Sequence, residues 1–204
     1  IVYISFPTES GTLYSKQELT ELYTVCQKHN IPLFIDGARL GYGLMAKKND
    51  VTFEDIANLC DVFYIGGTKV GALFGECIVI LNDLYKKDFR YSIKQHGGML
   101  AKGRMLGIQF EELFKDNRYL TISKHAIDMA EILSEGFQSK GYHFYFPAET
   151  NQLFPIFENT KLEELSKEFA FTPWARVDET HTAVRFVTSF ATKRENVEYL
   201  LTKI

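Results

Sequence analysis

Long apolar runs are scarce in this sequence: none approaches the roughly 18 residues that a helix needs to cross a bilayer, so no membrane-spanning helix is expected. Cysteine is scarce too. Cys26, Cys60 and Cys77 are odd in number, widely spaced, and lack any CxxC or histidine pairing, which argues against a disulfide framework or a metal site. They read as reduced core thiols of a cytoplasmic protein. No excess of charge of one sign exists either. Lysine and arginine number 23 against 26 aspartates and glutamates, interspersed to a net charge of −3, so there is no basic field for a polyanion and nucleic acid is excluded as the main partner. Low-complexity segments, flexible linkers and internal repeats are missing as well. What is present is 204 residues, 46% hydrophobic and 14% aromatic, enough to bury a substantial core.

The chain opens with Ile1-Val2-Tyr3-Ile4-Ser5-Phe6, a β-branched and aromatic run of the kind found in buried strands. A sequence that begins inside such a strand is expected to be part of a longer protein. Ser15 and Glu18 have capping-box spacing, and Leu19, Leu22, Tyr23 and Cys26 follow at helical intervals. Asn30 and Pro32 stop that helix before a second strand, Leu33-Phe34-Ile35-Asp36. This is a strand–helix–strand unit, the right-handed crossover of a parallel sheet. Thr52 and Asp55 then cap a short helix running to Cys60, Val62–Ile65 reads as a third strand and Glu76–Leu81 as a fourth. The fold class is α/β, with helices expected on both faces of a mainly parallel sheet. Helical patterns take over near 91–115 and 119–139, the second ended by Gly141. Strands at 142–146, 152–157 and 183–188, a helix around Leu162 and Leu165, and a last helix carrying Val197, Leu200 and Leu201 make a smaller α+β unit. The expected division is a large α/β domain over 1–110 and a small C-terminal domain over 111–204.

In open α/β sheets ligands bind beyond the carboxyl ends of the strands. Asp36 ends the second strand and is followed by Gly37-Ala38-Arg39, while Gly66-Gly67-Thr68-Lys69 follows the third. Taken singly, Asp36 reads as a turn-capping carboxylate, and Arg39 and Lys69 as solvated cations. Taken together, charges at two neighbouring strand ends, with small residues around them and apolar strands behind, mark a site. It is not a Walker loop, because the hydroxyl precedes the lysine and Val70 follows it. A strand-end lysine opposite a carboxylate suits a Schiff base to pyridoxal phosphate: the amine attacks the aldehyde and the carboxylate holds the proton on the pyridine nitrogen.

Phe34-Ile35-Asp36-Gly37-Ala38-Arg39-Leu40 and Ile65-Gly66-Gly67-Thr68-Lys69-Val70-Gly71-Ala72 resemble the threonine aldolase branch of the aromatic-amino-acid β-eliminating lyase family. The resemblance extends through Thr8–Ser15, Gln95–Arg104 and Val184–Thr192. It implies the C-terminal part of a fold-type-I pyridoxal-phosphate architecture, similar to aspartate aminotransferase, with a further stretch upstream. Lys69 would be the Schiff-base lysine, Asp36 the pyridinium partner, Thr68 a cofactor neighbour, and Arg185 with Arg39 the grip on a substrate α-carboxylate. The implied reaction is retro-aldol cleavage of a β-hydroxy-α-amino acid to glycine and an aldehyde, in a homodimer or homotetramer. Two other readings stay open: a β-eliminating lyase of the same family, and a catalytically silent oligomerisation fragment.

Further residues carry alternatives. Glu9 is a candidate base by position or a turn carboxylate. Lys94, His96, Lys102 and Arg104 could reach a neighbouring subunit's cofactor, although a solvated helix face suits each of them better. Trp174 could line the substrate entrance; a place in the core of the small domain is preferred.

Overall fold

The computed structural model describes residues 1–204. Strands β1 (Val2–Ser5), β2 (Leu33–Asp36), β3 (Val62–Gly66) and β4 (Glu76–Ile80) form one sheet in that order. β1, β2 and β3 are parallel, in register Ser5↔Asp36 and Ile35↔Phe63, and β4 returns antiparallel beside β3. Helix α1 (Lys16–Lys28) starts on the Ser15–Glu18 capping box, with both reciprocal bonds formed, and α3 (Phe53–Asn58) starts on the equivalent Thr52–Asp55 box. Buried Asp61 anchors the start of β2 by accepting the Leu33 N–H at 2.9 Å and the Asn82 amide at 2.8 Å.

Alternation along the strands divides the sheet. Leu33, Ile35, Phe63 and Ile65 point into the main core, with Leu19, Cys26 and Ile56 from the helices. On the opposite face Tyr3, Phe34 and Tyr64 form an aromatic row, Tyr3 stacked on Phe34 at 5.3 Å. Tyr3 and Ile78 are exposed there, so helices of this chain bury one face of the sheet and leave the other partly open, where coverage of both was expected.

Helix α2 (Leu40–Met45) is not among the elements the sequence pattern predicts, because Leu40-Gly41-Tyr42-Gly43 is short and glycine-rich. Its glycines are dictated by packing: a Cβ on Gly41 would lie 2.2 Å from Ser123 Oγ, and one on Gly43 2.8 Å from Pro7 Cδ. The helical stretch expected over 91–115 is two helices, α4 (Phe89–Gln95) and α5 (Arg104–Phe114), broken at Gly97 with φ +77°.

Helix α6 (Arg118–Ser139) serves two cores. Tyr119, Ala126 and Ile127 belong to the first, and Met129, Leu133 and Phe137 to the second. The second core lies under an antiparallel sheet in which β8 (His181–Val187) pairs with β5 (Gln152–Leu153), β6 (Ile156–Glu158) and β7 (Thr172–Arg176). Helices α7 (Asn159–Leu165) and α8 (Arg194–Lys203) close it. Fully buried Phe137 meets Phe157 and Phe186 at 5.6 Å each. Residues 142–146, expected as a strand, contribute a single bridge, Phe144 to Pro155. β7 takes an edge instead, the position that tolerates its Pro173. No helix is long and apolar enough to cross a membrane.

Candidate active site

The parallel register brings the carboxyl ends of β1, β2 and β3 level, and the charged residues gather at that edge. Two backbone approaches draw the turns after β2 and β3 together. Gly66 N–H donates to Gly37 O at 2.8 Å. A Cβ on Gly37 would fall 1.9 Å from Tyr64 O, and one on Gly66 2.2 Å from Ala38 O. Only glycine permits this contact, which is the physical reason for glycine at positions 37 and 66; Gly67 is required separately, since a Cβ there would lie 2.8 Å from Gly75 O.

Asp36 has donors on both carboxylate oxygens. Tyr3 and Tyr64, from the flanking strands, each donate a phenol, and Ala38 N–H donates at 2.9 Å. Burial pushes Asp36 upward, but the two phenols, the Ala38 amide and the positive charge of Lys69 outweigh it and hold the carboxyl below its usual range. It is therefore a fixed anion at neutral pH. The same contact raises Tyr3 to about 12, chiefly through its hydrogen bond to Asp36.

Lys69 sits in a one-turn 3-10 segment, Thr68–Val70, just beyond β3, closed by Gly71 at φ +102°. Its backbone oxygen accepts the Tyr42 hydroxyl, and its exposed Nζ forms no hydrogen bond or ion pair. Glu76, at the start of β4, accepts Gly67 N–H at 2.7 Å and faces the Thr68 hydroxyl at 3.4 Å, so it shapes the lysine turn. Beneath the turn, buried Tyr119 donates its hydroxyl to Gly66 O and accepts Gly41 N–H, both at 3.1 Å.

Arg39, at the start of α2, and Arg185, on β8, lie near enough for their charges to act on one another. Burial pulls the Arg39 guanidinium below its ordinary value, the positive charge of Arg185 adds to that, and Glu9, Tyr42 and Asp36 oppose it. The Nε atoms of both arginines are buried with no hydrogen-bond partner. Two buried guanidinium Nε–H groups without acceptors leave donor capacity of the kind that a planar anion such as a carboxylate satisfies. Trp174 lies outside the core preferred for it: 39% exposed, it packs edge-on to Phe154 at 4.9 Å with the Arg185 guanidinium 5.8 Å from its ring. Glu9 accepts the Ser5 hydroxyl. Lys94, His96, Lys102 and Arg104 are all exposed and bond to none of these groups.

Sequence reasoning misses Tyr3, Tyr64, Tyr119 and Glu76. The one available signal is the position of Tyr64, two residues before Gly66 and in register to share the strand face of Phe34 and Asp36.

The model of the beta-eliminating lyase family matches residues 1–160. The chain belongs to this family. It is similar to a low specificity L-threonine aldolase from a Pseudomonas species, 32% identical over 169 residues that cover 81% of this chain and 48% of that protein. A second, from Pseudomonas aeruginosa, is 30% identical over the same shares. Among solved structures, Leishmania major threonine aldolase superposes with a TM-score of 0.96 at 44% identity, over 98% of this chain and 59% of that one. Thermus thermophilus aspartate aminotransferase, at 15% identity, shares the fold with a TM-score of 0.69 over 98% of this chain and 55% of that one. The expected fold-type-I α/β architecture is therefore correct. The chain spans about half the length of the curated relatives it matches.

Proposed function

We propose that the chain carries the lysine half of a pyridoxal-phosphate site in an amino-acid lyase that cleaves β-hydroxy-α-amino acids to glycine and an aldehyde. The observation that carries this reading is the pair of buried, unpartnered Nε atoms of Arg39 and Arg185 beside the edge that holds Asp36 and Lys69. Those residues fit the cofactor and an amino acid together: an unpaired amine, a fixed anion and a carboxylate receptor. Resemblance to the two Pseudomonas aldolases and to the Leishmania major enzyme supports the choice of reaction.

When bound, pyridoxal phosphate supplies the electron sink for the bond broken at Cα. Lys69 would anchor it through Nζ. Asp36 would accept the ring N–H and balance its positive charge, and because three donors already orient the carboxylate, little reorganisation is needed. The Thr68 hydroxyl, held by one long contact to Glu76, is free to turn to the cofactor. Arg39 and Arg185 would hold the substrate carboxylate, and fixing it decides which Cα bond stands perpendicular to the ring. Residues 1–110 would be the partial cofactor domain and 111–204 the small domain, with α6 common to both. A homodimer or homotetramer suits the exposed Leu73, Leu84 and Tyr91, and the three free cysteines fit a reducing cytoplasm.

The test is covalent trapping. Pyridoxal phosphate is added to the protein, borohydride reduces the adduct, and peptide mapping locates it. The fixed label is expected on Lys69 and lost in Lys69→Ala; a label elsewhere, or one that survives in the variant, refutes the assignment.

A further inference from the structure

Gln152 is fully buried at the start of β5, and both ends of its amide are engaged. Its Oε1 accepts Arg185 Nη1 at 3.5 Å, and its Nε2 donates to Glu9 O at 3.1 Å and Thr8 O at 3.5 Å. The amide orientation follows from its partners, because reversing it would set NH₂ against a guanidinium and oxygen against two carbonyls. The loop after β1 is docked on this segment at two more points. Thr150 Oγ1 donates to Gly11 O at 2.9 Å, and Gly11, at φ +76°, approaches so closely that a Cβ would lie 2.7 Å from Gln152 O.

The geometry of a guanidinium gives this contact a consequence. Nε–H and one Nη2–H point in parallel to one side, whereas Nη1 lies on the other. Gln152 takes Nη1, Trp174 lies 5.8 Å from the guanidinium carbon, and the Nε that remains is buried without a partner. The edge of Arg185 left without a partner is thus the Nε/Nη2 fork, the edge that grips a carboxylate with two parallel bonds. An amide suits this task better than a carboxylate would. It accepts from Nη1 without neutralising Arg185, so the full positive charge stays available to a ligand.

We propose that Gln152 is a positioning residue: it sets the side-on Nε/Nη2 fork of Arg185 toward the substrate carboxylate and ties that fork to the Glu9 loop. This rests on the reading of Arg185 given above.

The experiment uses the full protein loaded with pyridoxal phosphate and measures dissociation constants by calorimetry for glycine and for glycinamide, which lacks the carboxylate. Gln152→Met is expected to weaken glycine about tenfold, the scale of a disturbed bond to a charged group, and to leave glycinamide unchanged. Gln152→Glu keeps the size and the acceptor for Nη1 but sets an oxygen against Thr8 O and Glu9 O and adds a charge that cancels that of Arg185, so it is expected to weaken glycine at least as much. It carries the test alone if the methionine variant does not fold. Arg185→Lys is measured in parallel. Parent-like glycine binding in the Gln152 variants, or equal loss for both probes, overturns the proposal. If Arg185→Lys weakens glycine while they do not, only the role of Gln152 falls; if Arg185→Lys is also unchanged, the reading of Arg185 falls with it.

Discussion

Tyr119→Phe removes one oxygen atom from beneath the lysine turn, and the structure allows its effect to be worked out. The residue is 1% exposed, its ring stacks on Phe114 at 5.4 Å, and its hydroxyl joins Gly41 N–H to Gly66 O. Burial holds the phenol above its usual range, so it is neutral at any ordinary pH and the substitution changes no charge. Phenylalanine keeps the ring contacts. What remains is a buried amide donor in the first turn of α2 without its acceptor and a carbonyl at the end of β3 without one of its donors. An orphaned buried group costs about 1–3 kcal/mol, and a typical lost bond about 1 kcal/mol, which together give a loss of about 2–4 kcal/mol. For a chain of this size the melting temperature should fall by roughly 4–16 °C. Urea denaturation of parent and variant at neutral pH measures it directly. A difference under about 0.5 kcal/mol would mean that water or a backbone shift replaces both bonds, and the view of Tyr119 as the tie between the two turns would be wrong.

Two further expectations concern the same frame. Gly37→Ala forces a methyl against Tyr64 O, where a Cβ would lie 1.9 Å away, so β2 and β3 must part. A loss of about 3 kcal/mol or more is expected in urea denaturation, together with weaker labelling of Lys69, and a variant as stable as the parent would refute the close approach. Asp55 is held down to about 2 by Lys16 and then by the Thr52 hydroxyl and amide. Its folded value lies below the unfolded value of about 3.9, so the stability it adds is present above about pH 4 and is lost as pH falls toward 2. Asp55→Asn should flatten that part of the profile, read from urea midpoints between about pH 2 and 6; an unchanged slope would show that other carboxylates carry it.

Much of the frame is legible in local signals. The capping boxes at Ser15 and Thr52, the apolar runs of β2 and β3, and the turn residues after each act over a few positions, and by themselves they put Asp36 and Lys69 at neighbouring strand ends. The glycines beside them are explained only in three dimensions, since the contact of Gly37 and Gly66 with the opposite turn is a distance and leaves no pattern of its own. The direction of β4 is hidden for a related reason: an apolar run carries no sign of whether it pairs parallel or antiparallel.

Arg39 and Arg185 can be named as a pair from the sequence only through family resemblance, because no periodicity links a loop after β2 to the middle of β8; α6, lending one end to each core, brings them together. Trp174 is misplaced by the sequence pattern for want of β7, whose edge position follows from pairing with β8. The phenols on Asp36, the tie through Tyr119 and the amide of Gln152 are decided by tertiary structure alone. Secondary structure depends on neighbours within one turn or one pleat, and the sequence states those neighbours. The partners of a hydroxyl, an amide or a guanidinium are chosen by packing between segments far apart in the chain, which exists only once the cores have closed.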